Sequence, residues 1–187
     1  MALISNCDSR NTIRLKYIKD VNKYFPVVGY GRCFNRMIGK SAQLEWCKTY
    51  KFYISFENSI CEDYITEKYS NAIKCGTIPI VMSPKYNLRH LIPGSYINTF
   101  DYPSPKRLGE YLHEVSKNLT KYKEYFKWKR LYNLDRNRII NDACKMILKV
   151  EEAQNSTISN DPLLQDVLEG KKCMNIYDIN KNHYRGN

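Results

Sequence analysis

The chain has 187 residues and is 43% hydrophobic, which is enough for one domain with a buried core and excludes disorder over most of its length. Its formal net charge of +11 favours an anionic partner, such as a phosphorylated small molecule, a nucleic acid or an anionic membrane surface, although the lysines could also form a solvated face. No apolar run approaches the length of a membrane span, and the first residues do not resemble a signal peptide.

Apolar periodicity divides the chain into alternating strands and helices. The predicted strands are residues 2–5, 27–31, 51–57, 77–82 and 96–100. The predicted helices are residues 8–25, 44–50, 66–75, 108–115, 122–128 and 136–153, with one helical turn at 87–91 and a loop at 32–43. Pro26 and Gly76 are expected to end the helices before them, and Pro79 indicates a strand that lies near an edge or starts late.

Strands that alternate with helices predict an α/β fold, a Rossmann-like, doubly wound and mostly parallel sheet. We expect this domain to occupy residues 1–153 and an irregular tail to occupy residues 154–187. In such sheets a ligand binds beyond the carboxyl ends of the strands, near the point where the strand order reverses. Two polar stretches fall there, Ser5-Asn6 and the segment that starts at Glu57-Asn58.

The cysteines and histidines give no sign of a metal site. The seven cysteines form no Cys-x-x-Cys pair, and the three histidines lie far apart. A scattered, odd set is typical of buried thiols, or of one or two disulfides if the chain folds in an oxidising lumen. Two glycosylation patterns, at Asn118 and Asn155, would also fit a lumenal protein.

The segment DYITEK, which precedes a predicted helix, combines groups suited to a sugar nucleotide. Thr66 is expected to cap the helix, which places Glu67 and Lys68 in its first turn. The free amides of a first turn bind anions, and a lysine adds a charge suited to phosphate. An acid would repel a phosphate, so Glu67 makes better sense as an acceptor for sugar hydroxyls. The alternative is an exposed helix start with both side chains solvated.

Arg10 and Arg14 follow the first predicted strand, where arginines can clamp a pyrophosphate bidentately. The alternative is a basic helix surface. If the spacing is the only evidence, this alternative is the favoured one. Neither GxGxxG nor GxxxxGK[ST] is present, so the dinucleotide and P-loop signatures do not apply. Nucleic-acid binding would require arginines and aromatic residues clustered on one face, whereas the lysines are spread along the chain, so no nucleic-acid partner is expected.

Residues 52–81, FYISFENSICEDYITEKYSNAIKCGTIPIV, resemble the signature of the α-1,3-fucosyltransferase family, glycosyltransferase family 10. The family form is Phe-x-Leu-x-Phe-Glu-Asn-Ser, then Asp-Tyr-x-Thr-Glu-Lys, Asn-Ala and Gly-x-x-Pro-Val-Val. Further on each side, Tyr30-Gly31-Arg32 is similar to the family's aromatic-glycine turn, and Phe100-Asp101 with Ser104-Pro105 is similar to its Asp-Phe-x-Ser-Pro element. The similarity covers residues 2–128.

The resemblance implies the C-terminal, GDP-fucose-binding half of a two-domain GT-B glycosyltransferase. The positions that it assigns to the donor site are Leu3, Ser5, Asn6, Arg14, Tyr53, Asn58, Tyr64, Glu67 and Lys68. Glu67 would hold the fucose hydroxyls, and Arg14 with Lys68 would neutralise the leaving diphosphate. Arg10 is a weaker candidate, because an extra residue blurs the match between Asn6 and Arg14. No metal, other cofactor or catalytic residue within the chain is implied.

The function that the resemblance implies is transfer of L-fucose from GDP-β-L-fucose to a glycan or glycoprotein hydroxyl, with inversion. The family's acceptor-binding half, with its membrane anchor and acidic general base, would precede Ala2, so membrane attachment is expected only through that anchor, in the Golgi or endoplasmic reticulum lumen. One alternative is an incomplete chain that binds GDP-fucose or GDP without turnover. Another is a protein O-fucosyltransferase, since residues 160–164 are similar to that branch. The family's Cys-x-x-Cys-Asp element is matched only by Cys173, which leaves that disulfide open.

Overall fold

The computed structural model describes residues 1–7, 12–39, 45 and 47–130. The strands are β1 (Ala2–Leu3), β2 (Gly29–Tyr30), β3 (Phe52–Ile54), β4 (Ile78–Val81) and β5 (Ile97–Asn98). The α-helices are α1 (Thr12–Asn22), α2 (Glu67–Lys74), α3 (Pro105–Lys117) and α4 (Leu119–Glu124). Short 3₁₀ segments lie at Arg32–Phe34, Lys85–His90, Thr99–Asp101 and Lys127–Arg130. The strands are shorter than predicted, but their order and type agree with the sequence.

The five strands form one parallel sheet in the order β2-β1-β3-β4-β5. The chain therefore winds outward from β1 to β2 and then returns to the other side of β1 for β3. The order reverses between β1 and β3, where Ala2 lies opposite Ile54. This is the doubly wound α/β fold that the alternation predicts, and its switch point marks where a ligand is expected.

Helices cover both faces of the sheet. On one face, Tyr17 and Val21 of α1 and Leu108 of α3 pack on inward-facing strand residues such as Ile54. On the other face, α2 packs through Ala72 against Tyr53 of β3. Alternate residues of β3 thus enter different cores, as a parallel strand covered on both sides requires.

Local signals account for where helices α1 and α2 end. Helix α1 ends at Asn22 rather than at residue 25, because Pro26 disfavours helical backbone just before it and the Asn22 side chain instead accepts the Val27 amide at 2.7 Å. Helix α2 ends at Lys74, and Gly76 follows it with a φ of 68°, in the left-handed region where glycine carries no steric penalty. The prediction that Gly76 stops this helix is confirmed.

Pro79 was predicted to mark a strand that lies near an edge or starts late, and β4 lies next to the edge strand β5, between it and β3. Ile78 donates its amide toward β3, to Lys51, so the Pro79 nitrogen faces the side of β5. Pairing with β5 begins only at Ile80. The missing donor therefore removes no ladder hydrogen bond, which is how a proline is tolerated in an inner strand.

Helix α3 is longer than predicted, and helix α4 starts earlier in the chain than predicted. Helix α3 was predicted at residues 108–115 but extends to both sides, with the Ser104 hydroxyl accepting the Arg107 amide at its start. Helix α4 starts at Leu119, where the Asn118 side chain caps it. Predictions for residues 8–11, 40–44, 46, 136–153 and the tail 154–187 lie outside the described residues, as do Arg10 and Cys173. Within the described residues, no helix is long and apolar enough to span a membrane.

Two disulfides whose cysteines both lie among the described residues connect segments near the sheet. Cys7, just after β1, is bonded to Cys33 in the 3₁₀ segment that follows β2. Cys47 is bonded to Cys75, at the end of α2. Of the two alternatives that the sequence left open for the cysteines, these four form disulfides, a state that persists in oxidising compartments.

Candidate functional site

An open cleft of about 580 Å³ lies at the carboxyl ends of β1 and β3, at the switch point of the sheet. Its walls come from the segment after β1, from α1, from the end of β3 and from one side of α2. The lining residues are Leu3, Ile4, Ser5, Asn6, Arg14, Tyr53, Asn58, Glu67, Lys68, Asn71 and Lys74. The cleft combines an apolar floor with cations and hydrogen-bonding side chains, which suits a ligand with an apolar and an anionic part.

Arg14 joins the ends of the two strands that flank the switch point. Its side chain is buried, with 3% exposure, and donates to the backbone carbonyls of Asn6 at 2.7 Å and of Phe56 at 3.4 Å. Its Nε is also buried and has no hydrogen-bond partner. Burial lowers the pKa of the guanidinium, and the nearby Glu57 and Tyr64 partly offset this. Because its acceptors are carbonyls rather than carboxylates, Arg14 keeps its positive charge available to the cleft.

Glu57 organises the start of α2 from the end of β3. Its carboxylate is only 8% exposed and accepts the Thr66 amide at 2.9 Å, the Thr66 hydroxyl at 2.6 Å and the Lys68 ammonium at 3.0 Å. The expectation that Thr66 caps α2 is correct for its position, but the Thr66 side chain makes no capping bond. Glu57 supplies the acceptor instead, and its negative charge is favourable beside a helix N-terminus.

Lys68 is held within the cleft wall by three oxygen atoms. Besides Glu57, its ammonium contacts the Thr66 hydroxyl at 2.8 Å and the Glu67 carboxylate at 3.4 Å. An ammonium has three N–H donors, and these three oxygen atoms can accept all of them. The Glu67 contact is the longest, and the Glu67 side chain is 68% exposed. It is therefore the contact most easily exchanged for an oxygen of a bound anion.

Glu67 remains ionised over a wide pH range. Partial burial by itself raises the pKa of Glu67, but its own backbone amide, Lys68 and Thr66 together lower the pKa below its ordinary value. An ionised carboxylate is an acceptor only, so this side chain can take hydrogen bonds from hydroxyl groups but cannot donate to a phosphate. Its neighbour Lys68 has the opposite capability, and the two lie side by side at one end of the cleft.

The other end of the cleft is formed by the floor and by the last turns of α2. Leu3 and Tyr53 pack in the same cluster as Ala72 of α2 and as Cys75, the residue that follows the helix. On the cleft side of the helix, Glu67, Asn71 and Lys74 follow one another at spacings of four and three residues. Residues at these spacings share one face of a helix. The cleft thus combines the apolar side chains of Leu3 and Tyr53 with cations from α1 and α2.

Gly31 allows the end of β2 to approach the rim of the cleft. It has a φ of 94°, and a Cβ at this position would lie 2.4 Å from the Ile4 carbonyl oxygen and 2.9 Å from Ser5 Oγ. Any side chain here would displace the segment after β1 that carries Ser5 and Asn6. The Tyr-Gly turn noted in the sequence therefore has a steric reason.

Tyr64 is the predicted site residue that the structure does not place on the cleft. It lines a separate, much smaller pocket together with Glu57. The loop that precedes it is held by the buried Asn87, whose side chain accepts the Asp63 amide at 2.8 Å and donates to the Cys61 carbonyl at 2.7 Å. Asp63 has a φ of 58°, so the backbone turns sharply just before Tyr64. The Tyr64 hydroxyl nevertheless lies near enough to Arg14 to raise the pKa of its guanidinium.

All other predicted site residues line the one cleft, although they come from separate parts of the sequence. Sequence reasoning missed three lining residues, Ile4, Asn71 and Lys74, and did not assign a role to Glu57. The four- and three-residue spacings from Glu67 could have indicated Asn71 and Lys74. Among the described residues, no group of histidine, cysteine and acidic side chains could hold a metal ion.

Comparison with known proteins identifies relatives of this chain. The sequence profile described as glycosyltransferase family 10 (fucosyltransferase), C-terminal part, matches residues 1–164. The 4-galactosyl-N-acetylglucosaminide 3-alpha-L-fucosyltransferase 9 of Cricetulus griseus is 38% identical over 135 residues, which are 71% of this chain and 37% of that protein. The corresponding fucosyltransferase FUT6 of Pongo pygmaeus is 34% identical over 145 residues, 76% of this chain and 40% of that protein. The chain thus spans well under half the length of these relatives.

Solved structures show the same fold. An α1,3-fucosyltransferase crystallised with GDP matches with a TM-score of 0.61 and 25% identity, over 72% of this chain and 39% of that one. An α1,3-fucosyltransferase with GDP-fucose also matches with a TM-score of 0.61, over 86% of this chain and 49% of that one, and at 24% identity it supports the fold alone.

Proposed function

Since the chain belongs to the fucosyltransferases of glycosyltransferase family 10, we propose that its cleft binds GDP-fucose and that the protein of which it forms the donor half transfers the fucosyl group to a hydroxyl of a glycan or glycoprotein. The observation that supports this most directly is the convergence of Arg14 and Lys68 on one cleft at the switch point of the sheet. The two residues lie far apart in sequence, and the fold brings both to the place where doubly wound sheets bind nucleotides.

The part of the cleft around Arg14 and Lys68 suits the diphosphate of the donor. Arg14 is held by backbone carbonyls, and Lys68 can exchange its longest contact, to Glu67, for a phosphate oxygen. Two cations that face the oxygen between fucose and the β-phosphate stabilise the negative charge that grows there as the bond breaks. These side chains could serve that role without a metal ion.

Glu67 and Asn58 lie beside this position and suit the sugar. The ionised Glu67 accepts hydrogen bonds, and Asn58 can both donate and accept. In the proposed reaction, the acceptor hydroxyl oxygen attacks C1 of fucose while the bond from C1 to the phosphate oxygen breaks, so that configuration inverts and GDP leaves. The hydroxyl proton passes to a base, and we assign no residue of this chain to that role.

The proposed location is the lumen of the Golgi or endoplasmic reticulum. The two disulfides support it, because such bonds form and persist in the oxidising secretory compartments. The acceptor would bind next to the open side of the cleft, and contacts to it would come largely from the rest of the protein. A second candidate is GDP-fucose binding without transfer, since the described residues supply groups suited to the donor and we assign no base among them.

The test is calorimetric titration of the 187-residue chain with GDP and with GDP-fucose, beside Lys68→Ala and Arg14→Lys. Loss of one charged hydrogen bond is expected to weaken binding by about tenfold or more in Lys68→Ala. Arg14→Lys keeps a cation in the buried position but loses the fork that reaches both strand ends, so we expect weaker binding with a smaller effect on folding.

The matched control is Lys117→Ala, which removes a lysine at the opposite edge of the sheet. Lys117 ends α3, and the carbonyl of its neighbour Ser116 accepts Lys51, at the start of β3. Its loss should leave GDP affinity unchanged. A folded wild-type chain that binds neither ligand would contradict the proposal. Binding without fucosyl transfer, measured after the remainder of the protein is restored, would favour the second candidate.

A further inference from the structure

Asn118 lies in the turn between helices α3 and α4 and is the first residue of the pattern Asn-Leu-Thr. Its backbone is extended, with a φ of −104° and a ψ of 101°, so the turn separates the two helices at this residue. Asn118, Leu119 and Thr120 are all exposed, Leu119 to 65%. The pattern therefore lies on the surface, where an enzyme can reach it and a bulky group has room.

The Asn118 side chain uses one of its two polar atoms to hold α4. Its Oδ1 accepts the Lys121 amide at 3.0 Å and so caps the helix. Its Nδ2 makes no hydrogen bond to any described residue. The Thr120 hydroxyl, two residues further on, likewise has no partner in the part of the chain that the structure describes. A covalent bond formed at Nδ2 leaves the cap in place, because the amide oxygen remains an acceptor.

Asn118 also lies far from the cleft. Helix α3 follows β5 and runs back along the sheet, so its last residues lie at the edge where the strands begin. Near that end, the Ser116 carbonyl accepts the ammonium of Lys51, the residue that directly precedes β3. The cleft lies at the other edge, at the carboxyl ends of β1 and β3. A group attached to Asn118 would therefore project away from any ligand of the cleft.

We propose that Asn118 is an N-glycosylation site, which accepts an oligosaccharide in the oxidising compartment that the two disulfides indicate. In the transfer, Nδ2 attacks C1 of the first sugar of a lipid-linked oligosaccharide diphosphate. The bond from C1 to the phosphate oxygen breaks, the lipid diphosphate leaves with that electron pair, and one Nδ2 proton passes to a base of the glycosylating enzyme. The inference does not depend on fucosyl transfer by this protein, since it concerns the opposite edge of the sheet.

The experiment expresses the 187-residue chain behind a secretion signal in cultured mammalian cells and maps it by peptide mass spectrometry. Digestion with peptide-N-glycosidase in heavy-oxygen water converts each glycosylated asparagine to a labelled aspartate. We expect the label at Asn118, together with an increase in electrophoretic mobility as the glycan is lost. Asn155→Gln removes the second glycosylation pattern of the sequence, so the mobility change that remains in this background reports on Asn118.

Matched variants separate the modification from the helix cap. Asn118→Asp keeps a side-chain oxygen for the Lys121 amide but has no Nδ2, so we expect an intact cap and complete loss of the glycan. Thr120→Val removes only the hydroxyl that the pattern requires, with the same expected loss, whereas Thr120→Ser should retain the glycan. An unlabelled Asn118 in the wild-type chain, recovered from cells or medium, would overturn the inference. So would a mobility change that persists in Thr120→Val within the Asn155→Gln background.

Discussion

Ion pairs occur in this domain in two settings that differ in burial. Beside the cleft, Glu57 is 8% exposed and Lys68 is 21% exposed. On the outer surface of α3, Arg107 and Glu110 are 67% and 45% exposed, although their 2.7 Å separation is shorter. Water screens the outer pair, so its contribution to stability is small whatever its distance. The comparison indicates that burial and shared partners, rather than the distance between charges, decide which pair shapes the structure.

The largest effect is expected from Glu57→Ala. The change removes the acceptor of the Thr66 amide and leaves the partly buried Lys68 ammonium without its main counter-charge. Breaking a buried pair on one side should lower the free energy of unfolding by about 3 kcal/mol, measured by urea denaturation. GDP affinity should fall as well, because the start of α2 and the position of Lys68 depend on the same carboxylate.

The matched variant is Glu57→Gln, which keeps an acceptor for the Thr66 amide but removes the charge. Its loss of stability should be clearly smaller than that of Glu57→Ala. If Glu57→Ala lowered the free energy of unfolding by less than about 1 kcal/mol, the pair of Glu57 and Lys68 would contribute no more than an exposed pair. Burial would then not distinguish the two settings.

An intermediate effect is expected from the tyrosine hydroxyls between α3 and α4. Tyr111 and Tyr125 hydroxyls are 2.6 Å apart, and Tyr102 lies beside them. Burial, followed by the contact with Tyr111, raises the pKa of Tyr125, and burial likewise raises the pKa of Tyr102. Tyr125→Phe should lower the free energy of unfolding by about 1 kcal/mol at neutral pH, through loss of one hydrogen bond.

The same tyrosines predict a dependence on alkaline pH. Their folded-state pKa lies above the unfolded value of about 10, so their contribution is complete below pH 10 and is lost as the pH rises toward the folded pKa. Urea midpoints between pH 8 and pH 11 should therefore decline above pH 10, and less steeply in Tyr125→Phe. The exposed Tyr24 gives the control, since Tyr24→Phe should follow the wild-type curve. Parallel curves for wild type and Tyr125→Phe would contradict this account.

The smallest effect is expected from Glu110→Gln, which breaks the pair with Arg107 on α3. The loss should not exceed about 0.5 kcal/mol, and added salt should reduce it further. Thermal melts of this variant and of wild type at low and high salt provide the measurement. A loss comparable with that of Glu57→Ala would show that exposure is a poor guide to these pairs.

The sequence was sufficient to predict the fold and the place of the cleft. Alternating periodicities define a parallel sheet, and the ends of its strands must meet at one edge, so Asn6 and Asn58 come together although they are far apart in the chain. The pairing of Glu67 with Lys68 also follows from local spacing at a helix start.

Contacts made across a loop could not be predicted in this way. Glu57 reaches Thr66 only because the loop between them folds back, and the left-handed conformation of Asp63 turns Tyr64 toward a different pocket. Neither event leaves a periodic signal in the sequence. The way in which Pro79 is accommodated between two strands is not visible in the sequence for a related reason, since it depends on where β5 begins to pair.

Helix α2 is fastened at both ends, by Glu57 at its first turn and by the disulfide between Cys47 and Cys75 just after its last. A helix held in this way cannot slide along the sheet to fit its ligand. The wall of the cleft is therefore in place before any nucleotide arrives, and little backbone entropy is lost when one binds. Adjustment to the ligand is left to the side chains of Lys68 and Lys74, whose reorientation is fast compared with backbone rearrangement.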